Sequence, residues 1–138
     1  MLKIGLAVFL IAHGLVHSIL AIAPKPNDSE AKPGTFFTAV DRSWLLPQLG
    51  LNGSAVRWVG IILVALSTLG FVLAGLGVLG VPGLSVIWRT VAVVSACVSL
   101  LLLFLFWHPW LVVGVLIDVG ILIGLLWLDW PSADLIGS

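Results

Sequence analysis

The sequence is short of charge. Asp, Glu, Lys and Arg make up 9% of its 138 residues, and six basic side chains balance six acidic ones. A net charge of zero leaves no electrostatic footprint for nucleic acid. It holds one cysteine, Cys97, which excludes an intramolecular disulfide and thiol-relay redox chemistry. No strand-like alternation occurs anywhere. No Glu-x-x-His pair occurs either, which excludes a di-iron carboxylate bundle. What the chain has instead is apolar surface: 61% of its residues are hydrophobic, against about 45–50% in soluble domains. One core of this size has no use for so much, so the expected solvent is a bilayer and residues 1–138 are expected to form a single membrane domain.

A helix needs about 20 apolar residues to cross the hydrocarbon core. Four stretches qualify: residues 2–23, 55–80, 86–107 and 110–128. The expected fold class is therefore all-α, an integral membrane four-helix bundle. Pro109 in "WHPW" disfavours helix at His108 and removes a donor, which reads as a tight hairpin between the last two spans. "GVPGL", starting at Gly80, makes the other short turn. An even number of spans puts both termini on one face. Trp88, Trp127 and Trp130 then fall at the terminal face and Trp44, Trp58, Trp107 and Trp110 at the other, as aromatic belts require. The first apolar run is longer than the roughly 7–15 residues of a signal peptide, and Pro24 would follow the cut at "AIA", so a retained span is expected.

The long loop, residues 24–54, begins polar and proline-rich. Phe36, Phe37, Val40 and Trp44 then fall on one side of a helix with Asp41 and Arg42 turned away, which predicts a short amphipathic helix in the interface. Four of the six basic residues, Lys25, Lys32, Arg42 and Arg57, lie on the loop face, a small majority favouring a cytoplasmic loop.

Several motifs carry less than their letters suggest. "GLGVLG", from Gly75 to Gly80, matches the dinucleotide fingerprint, but no strand precedes it. Its glycines read as close helix contact and a helix end. Asn27 and Asn52 match glycosylation acceptors and read as turn residues. Gly120 and Gly124 form a GxxxG, which lets helix backbones approach closely in lipid, within the chain or at a partner.

Asp118 is the most informative residue. It lies about 12 Å along the fourth span from Trp110. An aspartate at the bilayer centre costs about 2.5–3.5 kcal/mol on insertion scales. Thirteen Leu, Ile and Val residues between Trp110 and Leu128 contribute about −0.3 to −0.6 kcal/mol each, so the helix still inserts. The carboxylate needs a partner. His17 lies about 9 Å deep and His13 about 15 Å deep on the same scale, and four-residue spacing puts both imidazoles on one helical face. Asp118 falls between them in depth. If the first and fourth spans are neighbours, the three form a buried polar cluster, to which Ser18, Thr90, Ser95 and Ser99 offer further hydroxyls.

Such a cluster has four readings. It is an interhelical hydrogen bond that fixes register, or a proton-handling or ligand-binding pocket. It is also open to b-type haem, for which His108 is the only remaining histidine, and to a metal held by two histidines and one carboxylate. Arg89, one turn inside the third span, reads as an anchor snorkelling to the terminal face.

The opening "GLAVFLIAHGLVHSI" resembles that of DoxX-like membrane proteins, small four-helix bacterial proteins whose first helix often carries a His-Gly pair. His13 and Gly14 match the pair, and His17 stands where that family has a lysine. The resemblance implies a membrane subunit associated with sulfur or quinone redox complexes. The function expected from the sequence is therefore an accessory or partner-binding subunit of a membrane complex in a prokaryotic plasma membrane, more a subunit or homo-oligomer than an enzyme on its own. A redox or ligand-binding unit using His13, His17 and Asp118, with haem or quinone as cofactor, is the alternative.

Overall fold

The computed structural model describes residues 1–22, 43–107, 109–132 and 135. These are helical, with no strand among them. The helices are α1 (Leu2–Ile22), α2 (Gly53–Leu79), α3 (Leu84–Leu105) and α4 (Val112–Leu122). A π-helical turn, Ile123–Trp127, extends α4, and short 3-10 turns occupy Leu46–Leu49 and Pro109–Leu111. The first three helices are long and apolar enough to cross a membrane; the fourth, Val112–Trp127, is shorter. Trp110, expected to start the fourth span, lies in the 3-10 turn instead. Pro109 lacks an N–H and sets this tighter start. With about 1.5 Å per residue in the helix and about 2.0 Å in the turn, 109–127 still reaches about 30 Å.

The helix ends follow from local chemistry. Asn52 caps α2, its side-chain oxygen accepting from the Ala55 N–H at 2.8 Å, so the glycosylation-like motif is a cap. Gly80 ends α2 in the left-handed region at φ 97°, with its N–H on the Gly77 and Leu76 carbonyls. The other glycines of "GLGVLG" serve contact. A Cβ on Gly75 would lie 2.9 Å from the Ala7 carbonyl of α1, and one on Gly77 would lie 2.7 Å from the Leu84 carbonyl of α3.

α2 is the centre of the arrangement. It packs along α1 on one side and α3 on the other, and α4 rests on α3. α1 and α4 approach each other less closely. Two apolar clusters fill the interior. Ala7, Leu10, Phe71, Ala74, Val78, Trp88, Ala92 and Ala96 form the one nearer the termini. Leu46, Val56, Val64, Leu102, Leu105 and Phe106 form the one nearer the loop. Between them lies a polar layer of buried His13, His17, Ser67, Thr68, Ser99 and Asp118. Trp88, expected in the aromatic belt, is instead a core residue only 4% exposed. Gly77 makes room for it, since a Cβ there would stand 2.6 Å from the Trp88 Cβ.

The loop-side end of α3 has carbonyls that its own helix cannot satisfy. The Ser43 hydroxyl donates to the Leu105 carbonyl at 2.6 Å and the Trp44 indole N–H to the Phe104 carbonyl at 2.7 Å. Ser43 Oγ also accepts from the Leu46 N–H at 3.1 Å. Trp44 therefore sits in a non-helical bend, not on the amphipathic helix expected there. The rest of that helix, including Phe36, Phe37, Val40, Asp41 and Arg42, lies outside the described residues. Ser43→Ala should cost about 1 kcal/mol, or about 3 °C in the thermal midpoint of the detergent-solubilised protein.

At the terminal end Arg89 does turn toward the surface, and it finds a protein partner there. Its guanidinium meets Asp129 at 2.6 Å and donates to the Leu125 carbonyl at 3.4 Å. The Trp130 N–H reaches back to the Gly124 carbonyl at 2.9 Å. These contacts tie the end of the π turn to α3.

Candidate functional site

The site begins with Gly14. A Cβ there would lie 2.8 Å from the Phe71 Cβ and 3.0 Å from the Thr68 carbonyl oxygen, so only glycine allows α1 this close to α2. The contact is fastened by the Thr68 hydroxyl, which donates to the Gly14 carbonyl at 3.0 Å, and by a 2.8 Å hydrogen bond between the Ser18 and Thr68 hydroxyls. It wedges the flanking imidazoles. His13 meets Phe71 edge to face at 4.8 Å and stacks on Phe9 at 6.2 Å. His17 stacks on the same Phe71 at 6.3 Å. The imidazoles lie edge to face with each other at 5.2 Å.

Asp118 enters from α4 and is fully buried, the only buried side chain of that helix. Its Oδ1 lies 2.9 Å from His13 Nε2. Its Oδ2 accepts from the Ser99 hydroxyl of α3 at 2.5 Å, and Ser99 Oγ lies 3.0 Å from His17 Nε2. The single Ser99 hydrogen goes to the carboxylate, so the remaining contact requires His17 Nε2 to donate. An ionised Asp118 only accepts, so His13 Nε2 donates as well. The result is one continuous run, His13 to Asp118 to Ser99 to His17, in which a carboxylate at Asp118 goes with both imidazoles protonated on Nε2. It joins α1, α3 and α4. Ser67 adds a fully buried hydroxyl with no partner among the described residues.

His13, His17 and Asp118 are thus brought together as expected, with one ligand-type atom from each within 4.8 Å of the others. Ser99 was one of four hydroxyls expected nearby. Ser95 spends its hydroxyl on the Val91 carbonyl at 2.7 Å, and Ser18 serves the α1–α2 contact. His108 lies outside the described residues. The imidazoles contact each other on one helix, which leaves no room between them for a haem macrocycle.

Among the described residues, Gly120 and Gly124 join neither this cluster nor another helix. A Cβ on Gly120 would meet nothing within 4 Å, and one on Gly124 only the Trp130 carbonyl at 3.9 Å. Both glycines line a largely apolar cleft of about 260 Å³ between α1 and α4, together with Phe9, Trp88, Ile117 and Pro131.

No family model, curated protein or solved structure matches the chain. A functional reading rests on the site itself.

Proposed function

We propose that this chain is a four-span integral membrane protein of a prokaryotic plasma membrane, and that its working site is the buried His13–Asp118–Ser99–His17 run, a proton-handling or ligand-binding centre. Membrane residence is supported by the three long apolar helices and by the apolar outer faces. Ile62, Leu66, Leu69, Val86, Leu116 and Leu126 are each more than half exposed, a liability in water and an asset in lipid.

One observation carries the working-site reading: the run uses more polar groups than register requires. A transmembrane interhelical hydrogen bond is worth about 0.6 kcal/mol on average. Three of them return about 1.8 kcal/mol, against about 2.5–3.5 kcal/mol for placing the aspartate at mid-membrane. A stabilising device would not run at a loss, and one histidine would set the register. The test replaces His13, His17 and Asp118 together with leucine. Well-packed apolar residues in place of a buried polar set are neutral or stabilising. The triple variant should stay folded and monodisperse in detergent, with a thermal midpoint at or above that of the parent. A fall of several degrees would make the run structural and sink the reading.

A second reading, an accessory or partner-binding subunit, is favoured by the Gly120/Gly124 face, which no helix of this chain occupies among the described residues. The likeness to DoxX-like proteins supports it and is part of the same proposal. Its measurement is the native mass of the protein extracted from its own membrane. A single polypeptide would count against it.

A further inference from the structure

We infer that His13, His17 and Asp118 form a site for one divalent transition-metal ion, with zinc the best fit, and that Ser99 orients the carboxylate. The inference rests on the working-site reading and names its ligand. Four-residue spacing on a helix presents both imidazole nitrogens to one point, the spacing that helical zinc ligands use. The carboxylate comes from a second helix, so the donors converge from two directions. The three ligand atoms lie within 4.8 Å of one another, and the His13–Asp118 pair is already at 2.9 Å. Tetrahedral bonds of about 2.0–2.2 Å set ligand atoms roughly 3.3–3.5 Å apart. Closing the widest gap therefore takes shifts of roughly 1.5 Å, within the reach of side-chain torsions.

The chemistry of the donors selects the ion. Two imidazole nitrogens and one carboxylate oxygen suit zinc and its transition-metal neighbours, whereas calcium and magnesium ask for six or more oxygens. Charge points the same way. Asp118 pairs with no lysine or arginine among the described residues, and Arg89 is committed to Asp129. A dication supplies the missing positive charge. Binding asks each neutral imidazole to carry its proton on Nδ1, so that Nε2 offers its lone pair.

The surroundings are already those of a metal site. Ser99 holds the outer carboxylate oxygen, an outer-shell bond of the kind that fixes ligand orientation. Phe9 and Phe71 hold the rings. Ser67 lies level with Ser99 by the α2–α3 register, in which Gly70 faces Ser95 and Gly77 faces Trp88, and a hydrated ion in this layer gives it a partner. Three protein ligands leave a fourth position for water or substrate, the pattern of reactive rather than purely structural zinc.

The test uses the full-length, untagged protein in detergent, with Co²⁺ as the optical probe. One equivalent of Co²⁺ should give the visible bands of a low-coordinate nitrogen–oxygen site, and Zn²⁺ should bleach them. His13→Gln/His17→Gln keeps a donor toward Asp118 and Ser99 but removes both ligand nitrogens. This variant should fold and lose the bands. The triple-leucine protein should also lose them. Ser99→Ala should weaken Co²⁺ about tenfold to a hundredfold, and His108→Leu should change nothing. Folded parent protein without one-equivalent bands overturns the metal assignment, as do bands that persist in the glutamine variant. A stable triple-leucine protein alongside a parent that takes no metal removes the metal and keeps the working site. An unfolded triple-leucine protein removes the working-site reading, whatever the Co²⁺ result.

Discussion

Replacing His13 alone with leucine should cost about 3 kcal/mol, the upper end of what it costs to leave a buried acceptor without its donor. The substitution leaves Asp118 fully buried with only the Ser99 hydroxyl to face it. At 0% exposure no solvent reaches the carboxylate to compensate. The loss should read as roughly 10 °C in the thermal midpoint. Adding Asp118→Leu to the same protein should recover most of it, because no buried charge then remains. Such strong non-additivity is the mark of residues acting as one unit. If His13→Leu unfolds at the parent's temperature, Asp118 does not depend on the histidine and the cluster is not a unit.

Gly14→Val should do comparable damage by a different route. Its new side chain meets the Phe71 Cβ and the Thr68 carbonyl, atoms near or on the α2 backbone that cannot swing aside. Overpacking of this kind costs about 1–3 kcal/mol. Loss of the Thr68–Gly14 and Ser18–Thr68 hydrogen bonds adds to it. The displaced helix also carries His13 and His17 away from Phe71. Gly120→Val is the matched control, the same change in a helix of the same chain with nothing in its way. It should stay within about 0.5 kcal/mol. Equal effects at the two positions in one thermal series would show that α1 does not pack on α2 through Gly14.

How much of this was legible in advance follows from what spacing encodes. The helices were legible because apolar runs of membrane length have few other uses. The grouping of His13, His17 and Asp118 was legible because depth along a helix is a matter of counting residues, and a mid-membrane acid needs a partner. Which face of α1 meets α2 is not a matter of counting. Gly14 is therefore only half of a His-Gly pair in the sequence and a close contact only once Phe71 stands opposite it. Ser99 was one hydroxyl among four, and its assignment needed the three-dimensional arrangement to show that Ser95 and Ser18 are engaged elsewhere. Gly120 and Gly124 mislead in the other direction. Their spacing permits a close helix neighbour without saying that this chain provides one. Trp88 fails for a similar reason, since nearness to an interface does not decide whether an indole faces lipid or the interior.

The unequal seams of the bundle have a consequence for its motions. Glycines clamp α2 to α1 and α3, whereas α4 contributes one buried side chain and is fastened at its far end through Arg89. Elements with so few buried contacts detach at the lowest free energy. α4 is therefore the helix that breathes. Amide exchange should run fastest there among the four helices, on either side of the turn that the buried Asp118 anchors.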